Sequence, residues 1–427
     1  MRHLLSSFFL CLALPAAAQE FATHKGHGGP IMTLDVSPDG ALASGSFDNA
    51  VGLWPGPRWL DGHDAAVTTV THNGAWILSG GDDFRVLMWQ PDQAAPVELT
   101  RMKGKVSRIA IAPDQTGIAI ASWDGSIRMM SLFSKDAAPS AKIGGDLIDH
   151  RSNVTDVAYA DTGTLYSASS DGTVRVWEGQ SSRVIADQGF GINRIIVHDI
   201  WLAYGAVDGA TRVIDRETGE EIADFTLDRR PILAMDFHAP SGQLAIGDGE
   251  GYIMMVDTEN WRIDRDFRAM RQGPVWALAF SSDGTVIHAG GIDDVIYAWP
   301  VALLDTYDPA GGETRSFLRD ADTMPNGERQ FMRKCSICHS LDDGPSRKAG
   351  PTLHGLFGRR AGVIEGYRYS SILDGSDIVW NDDTIDALFD EGPDHYIPGS
   401  KMPMQVIAAP QDRADLIAFL RAATMEE

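Results

Sequence analysis

"SSDGTVRVW", residues 169–177, decides how most of this chain folds. Asp171 and Gly172 form a tight turn, because glycine supplies positive φ at no steric cost. Thr173 to Trp177 then alternate polar and apolar side chains, as a strand with one buried face requires. Upstream, "LYSASS" (165–170) reads as a second strand and "DTG" (161–163) as the turn before it. An acidic residue followed six positions later by Trp or a large apolar residue recurs seven times along the chain. The pairs are Asp48 with Trp54, Asp83 with Trp89, Asp124 with Met130, Asp171 with Trp177, Asp208 with Ile214, Glu250 with Val256, and Asp293 with Trp299. Successive acidic residues lie 35, 41, 47, 37, 42 and 43 positions apart. A period of roughly 40–45 residues belongs to an array of four-stranded units.

These units resemble WD repeats, over about residues 24–305. Three carry the fuller pattern of that family: a His in the loop before the unit, a Ser four residues before the Asp, the turn Asp, and the Trp. They are His27, Ser44, Asp48 and Trp54; His63, Ser79, Asp83 and Trp89; and His150, Ser167, Asp171 and Trp177. The resemblance implies that each set forms a hydrogen-bonded network within its blade, stabilising only when every member is satisfied. The remaining units are degenerate: Ile120, Tyr204 and Ala289 replace the Ser, and the sixth lacks both Asp and Trp. A seven-bladed propeller over residues 19–305 is the expectation, with residues around Phe21 to His24 supplying the missing outer strand of the last blade. The histidines belong to the structural pattern, and "GDGEGY" (247–252) sits in a blade turn rather than a phosphate-binding strand-to-helix junction. The propeller therefore reads as a binding surface or scaffold.

The chain has 427 residues, 36 basic and 59 acidic, for a net charge of −23. A phosphate backbone is repelled by such a surface, so nucleic acid is excluded as a partner, and a charge-steered partner is expected to present a basic patch. "MRHLLSSFFLCLALPAAAQE" has a short basic start, an apolar run and an A-x-A cleavage site, and reads as a signal peptide over residues 1–18. The apolar run falls short of the ~20 residues that span a bilayer. The expectation is an exported, periplasmic protein with no membrane span after cleavage, a retained anchor being the alternative. Only Cys335 and Cys338 then remain in the mature chain.

Those two cysteines stand in "KCSICHS" (334–340), followed directly by His339. A redox dithiol needs a strand-to-helix context that is missing here, zinc needs a second ligand pair, and a disulfide leaves His339 without a role. C-x-x-C-H reads as the covalent attachment site of one haem c, with His339 as proximal iron ligand. "DTYDPAGGETRSFLRDADTMPNGERQ" shows no sustained period and contains the linker, residues 306–324. "ERQFMRKC" and "QDRADLIAFLRAAT" have helical character, with Leu416, Ile417, Phe419 and Leu420 on one apolar side.

Residues 325–427 resemble class I cytochrome c, a small all-α domain. Gly327 and Phe331 match first-helix positions that pack on the last helix, and "KAGPTLHGLFGRR" matches the loop after the haem motif. The resemblance implies that Pro351 backs the proximal histidine through its carbonyl and that Arg359, Tyr369 and Trp380 lie near the propionates. "YIPGSKM" matches the distal loop, which assigns the axial sulfur to Met402 and leaves Met404 as packing. Phe389 and Leu373 depart from the family, standing where a Tyr and an Asn are frequent. The domain is acidic, with 17 acids and 11 bases from residue 321 onward, unlike the basic mitochondrial relatives.

Together these readings predict a single-haem electron carrier with His339 and Met402 as axial ligands and no substrate turnover. Its partners are a protein redox partner and a second protein on the propeller. Two alternatives stay open: a redox enzyme whose propeller holds a substrate or second cofactor, and a haem-bearing assembly or sensing scaffold.

Overall fold

The computed structural model describes residues 21–304 and 323–424, apart from 74–75, 91–92, 94, 134–139, 227–230 and 345. The predicted signal segment (1–18), Cys11 and all of the predicted linker except Thr323 and Met324 lie outside the described residues.

Seven four-stranded antiparallel sheets succeed one another, so the alternating segments pair within their own repeat. Blade 1 is built from Ile31–Val36, Leu42–Ser46, Ala50–Trp54 and Arg58–Asp61, and blade 2 from Val67–Asn73, Trp76–Gly81, Arg85–Trp89 and Val97–Arg101. Blades 3 to 6 occupy residues 106–147, 154–187, 192–224 and 232–268. Blade 7 holds Val275–Phe280, Val286–Gly291 and Val295–Pro300, and its outer strand is Ala22–Lys25 from the start of the domain. The register pairs Ala22 with Ala298 and Lys25 with Val295, and Phe21 packs edge-on against Trp299 at 4.8 Å. Ile31 and Leu42 of blade 1 share a buried cluster with Ala277 and Ile296 of blade 7, which closes the ring.

The three full sets form networks. In blade 4, His150 Nδ1 lies 3.0 Å from Asp171 Oδ2, His150 Nε2 lies 2.7 Å from Ser167 Oγ, and Trp177 Nε1 donates to Ser167 Oγ at 2.8 Å. Blade 1 repeats this through His27, Asp48, Ser44 and Trp54 at 2.9, 2.7 and 2.9 Å. Blade 2 does so through His63, Asp83, Ser79 and Trp89 at 3.0, 2.8 and 2.7 Å. Burial pushes Asp171 up, but donors from Arg151, Thr173 and His150 outweigh it and hold the carboxyl well below its usual range.

In two of the degenerate units a different set of contacts stands in for the network. In blade 3, the backbone N–H of Lys103 reaches Asp124 just as that of Asp64 reaches Asp83, so Met102 occupies the histidine position. Met102, Ile120 and Met130 are all buried in one cluster, an apolar substitute for the whole polar network. In blade 5, Gln188 takes that place, donating to Asp208 at 3.0 Å and accepting from the Tyr204 hydroxyl at 3.2 Å. Blade 6 has Glu250 at the turn, and Asp248 stands opposite Ile232 as Ser169 stands opposite Val154, accepting from Glu250 N and Tyr252 N at 2.8 and 3.0 Å. In blades 3 and 5 several members change together, which avoids stranding buried polar groups.

Each innermost strand skips one residue of register at its second position. A bulged residue is left outside the ladder and free to bond elsewhere. In blades 2 to 5 it is Thr68, Ser107, Thr155 or Asn193, each donating to the carbonyl that opens the next blade (Val106, Val154, Ile192, Ile232) at 2.5 to 2.8 Å.

The last hundred residues form helices α1 (Asn326–Lys334), α2 (Asp382–Glu391), α3 (Pro393–Tyr396) and α4 (Pro410–Thr424). At the crossing of α1 and α4 a Cβ on Gly327 would sit 2.1 Å from the Asp415 carbonyl oxygen, so only glycine lets the backbones meet. Phe331 and Phe419 pack beside it with ring centroids 5.5 Å apart. Asn381 and Thr384 form a capping box that starts α2. Buried Arg413 ties α4 to α2 through Asp386 and Asp390 at 2.7 and 2.9 Å.

Candidate functional site

Helix α1 runs out at Cys335, whose carbonyl then accepts the N–H groups of Cys338 and His339 at 3.0 and 2.9 Å. This tight turn turns Cys335, Cys338 and His339 toward one cavity of about 540 Å³, within the range of cofactor pockets. His339 Nδ1 is 2.7 Å from the Pro351 carbonyl oxygen. Burial pushes the imidazole pKa down although this hydrogen bond opposes it, which keeps the ring neutral with Nδ1–H donating and the Nε2 lone pair available. A Cβ on Gly350 would lie 2.4 Å from His339 Cε1, so glycine is needed for the chain to pass the ring. Burial also pushes the Cys335 thiol up to about 12, the opposite of the lowering that makes cysteines reactive dithiols, and the two thiols are not joined to each other.

The cavity collects the residues the sequence points to. Arg359, Tyr369, Trp380, Met402, Leu373 and Phe389 line it together with Pro351. The Arg359 guanidinium donates to the carbonyls of Thr352 (2.8 Å) and His354, pinning the loop that carries Pro351. The Tyr369 hydroxyl accepts from Ile364 N–H at 3.3 Å. Met404, expected to pack inside, is instead 52% exposed and lies across Gly392, where a Cβ would come within 2.7 Å of its methyl. Glycine there leaves the Met404 side chain room on the surface, while Met402 keeps the inward position.

Two groups of lining residues escaped the sequence reading. Tyr367 lines the cavity, donates to the Ala349 carbonyl at 2.9 Å and packs edge-on against Tyr369 at 4.7 Å. The spacing Y-R-Y, which puts two aromatics on one side of an extended segment, was the available signal. Phe47, Ala65 and Phe84 of the propeller also line it, and residues so distant in sequence give no local signal.

A profile described as "Cytochrome c" matches residues 325–424. The "Cytochrome c" of Sesamum indicum is 45% identical over 102 residues, covering 24% of this chain and 90% of that protein. The chain belongs to the cytochrome c family. The proteins named "Cytochrome c" from Gossypium barbadense and Nigella damascena are 46% and 41% identical, over 23% and 24% of this chain and 87% and 93% of theirs. The cytochrome c domain is fused to a second recognised unit: a WD domain, G-beta repeat profile matches residues 18–55, 58–90, 97–130, 142–178 and 265–300. The crystal structure of the WD40 β-propeller domain of Doa1 superposes with a TM-score of 0.58 at 18% identity, covering 65% of this chain and 96% of that one, which shows the propeller fold. A cytochrome c domain implies haem electron transfer, and a WD propeller implies a protein-interaction module. Among the described residues no helix is long and apolar enough to cross a membrane.

Proposed function

We propose that this protein is a periplasmic single-haem electron carrier whose WD propeller docks protein partners. One haem c would be held by thioether bonds to Cys335 and Cys338, with His339 and Met402 as the residues that would ligate its iron. Bound there, haem supplies reversible one-electron ferric–ferrous chemistry. The carrying observation is the neutral His339 ring, held by the Pro351 carbonyl at 2.7 Å, in a 540 Å³ cavity that Cys335, Cys338 and Met402 also line.

The chain's own groups do the rest. Pro351 fixes the tautomer and the plane of His339, as an outer-shell acceptor does for a metal-bound imidazole. The Met402 thioether would be a soft ligand, favouring ferrous iron and raising the potential. Leu373, Phe389 and Leu388 give the cavity an apolar wall, while Arg359, Tyr369 and Trp380, which also line it, would offer propionates donors or a counter-charge. The net charge of −23 favours a redox partner with a basic patch.

Replacing Met402 by Ala tests the ligand set: the reduced spectrum should change, the potential fall, and carbon monoxide bind. An unchanged spectrum, potential and resistance to carbon monoxide would overturn the assignment. N-terminal sequencing of the mature protein should begin at Gln19, and a chain still starting at Met1 in the membrane fraction would overturn the export reading.

A further inference from the structure

Three cations of the cytochrome c domain face the propeller, although the domain is acidic. Arg347, Arg368 and Lys401 stand far apart in sequence, yet all three meet carboxylates of the propeller. Arg347 Nη2 is 2.5 Å from Asp61 Oδ1, and its guanidinium lies 4.2 Å over the Trp59 ring. Arg368 Nη2 is 2.8 Å from Asp64 Oδ1 and donates to the His63 carbonyl at 3.3 Å. Lys401 Nζ is 3.3 Å from the same Asp64 oxygen and donates to the Arg368 carbonyl at 3.2 Å. The backbones also touch: a Cβ on Gly28 would lie 2.2 Å from the carbonyl carbon of Arg347. Behind this ring of charge, Phe47, Ala65 and Phe84 complete the wall of the cavity that His339 and Met402 share.

We propose that the acidic shoulder of blades 1 and 2 is the docking site for this chain's own cytochrome c domain, so that the resting protein keeps its haem edge covered. The consequence for electron transfer rests on the haem reading above; the docking itself does not. The three ion pairs are partly exposed, with side-chain exposures of 31 to 69%. Pairs of this kind are weak and screened by salt, each changing a closed-to-open ratio by about fivefold at most. They suffice because one chain holds both surfaces at an effective concentration in the millimolar range. A redox partner with a basic patch fits the same carboxylates, Asp61 and Asp64. By binding them it displaces Arg347, Arg368 and Lys401 and uncovers the haem edge. The propeller thereby links partner recognition to access.

The test uses the full-length haem protein in two salt conditions, about 20 mM and about 500 mM, on either side of a Debye length of ~10 Å. Solution scattering gives the radius of gyration, and hydrogen exchange reports residues 61–66, 82–85, 346–350 and 366–369. High salt should expand the particle and deprotect these four segments together, leaving blades 4 to 6 unchanged. Asp64→Arg should do the same at low salt, and adding Arg368→Asp should restore the compact form. Gly28→Val, which wedges the backbones apart and leaves every charge in place, should open the protein in both conditions. An unchanged radius and unchanged protection in high salt and in Asp64→Arg and Gly28→Val, with far-UV spectra unaltered, would overturn the docking. Purified protein without a haem spectrum would overturn the haem reading instead, and the scattering comparison would still decide the docking.

Discussion

Removal of one hydroxyl from blade 4 tests the propeller's internal logic. Burial pushes the His150 pKa down despite Asp171, so the ring is neutral at pH 7. Asp171 can only accept, which places the proton on Nδ1 and leaves Nε2 as an acceptor. The Ser167 O–H then donates to Nε2, and Ser167 Oγ accepts from Trp177 N–H. The chain of bonds runs in one direction, from tryptophan to serine to histidine to aspartate. Ser167→Ala orphans the Trp177 donor and the His150 acceptor at once, in a site where Ser167 is 0% and Trp177 5% exposed. Each stranded buried group costs ~1–3 kcal/mol, so the expected loss for the two is about 2–6 kcal/mol. Trp177→Phe removes the donor itself, and in the double variant the two losses should fall short of additive by ~1–2 kcal/mol. Urea unfolding followed by tryptophan fluorescence is suited to this, because ten of the eleven tryptophans precede residue 300. The Soret band, following the cytochrome c domain, should keep its midpoint. A loss below about 0.5 kcal/mol for Ser167→Ala, or strict additivity, would refute the account of a coupled buried network.

Two further outcomes follow from the packing. Gly327→Ala drives a methyl into the Asp415 carbonyl, 2.1 Å away, and should cost at least ~3 kcal/mol, read as an earlier loss of the Soret band in urea while propeller fluorescence is unchanged. Asp236 is pushed up to about 6 by burial, with Asp35 reinforcing this and the Phe280 N–H opposing it. Its raised pKa means the folded state retains a proton that the unfolded chain has lost between about pH 4 and pH 6, so this group's contribution is full below that window and falls away as pH rises through it. Asp236→Asn should match the natural protein at pH 4 and exceed it in thermal stability above pH 6, by at most ~3 kcal/mol since water reaches part of the residue. Equal stabilities at pH 8 would contradict the shift.

Much of the site was legible because covalent attachment and axial ligation demand particular atoms at particular spacings. Cys335, Cys338 and His339 are adjacent in sequence, and their chemistry allows few substitutes. Pro351, Arg359, Tyr369, Trp380 and Met402 entered through a resemblance to known proteins, and the cavity gathers all five. Tyr367 was passed over because, beyond the Y-R-Y spacing, an aromatic ring carries no chemical signature of its own. What stands in for the network in the degenerate blades was illegible for a different reason. Read singly, Ile120 marks only a missing Ser, whereas packed with Met102 and Met130 it belongs to one apolar cluster in place of the polar contacts. The staples from Thr68, Ser107, Thr155 and Asn193 were silent because a bulge has no period.

By itself the sequence determined the seven repeats, their four-stranded grain, and the attachment motif beyond them. Those features follow from side-chain alternation, turn residues and fixed covalent spacing, all of which act within a few tens of residues. Tertiary structure alone decided the register in which the Ala22–Lys25 strand closes the ring, Ala22 opposite Ala298 and Lys25 opposite Val295, and which side chains join one blade to the next. It alone decided that Asp61 and Asp64 face Arg347, Arg368 and Lys401 across the cleft. Such contacts join residues some three hundred positions apart through weak charges on a surface, where composition constrains the total charge and only the fold constrains its place.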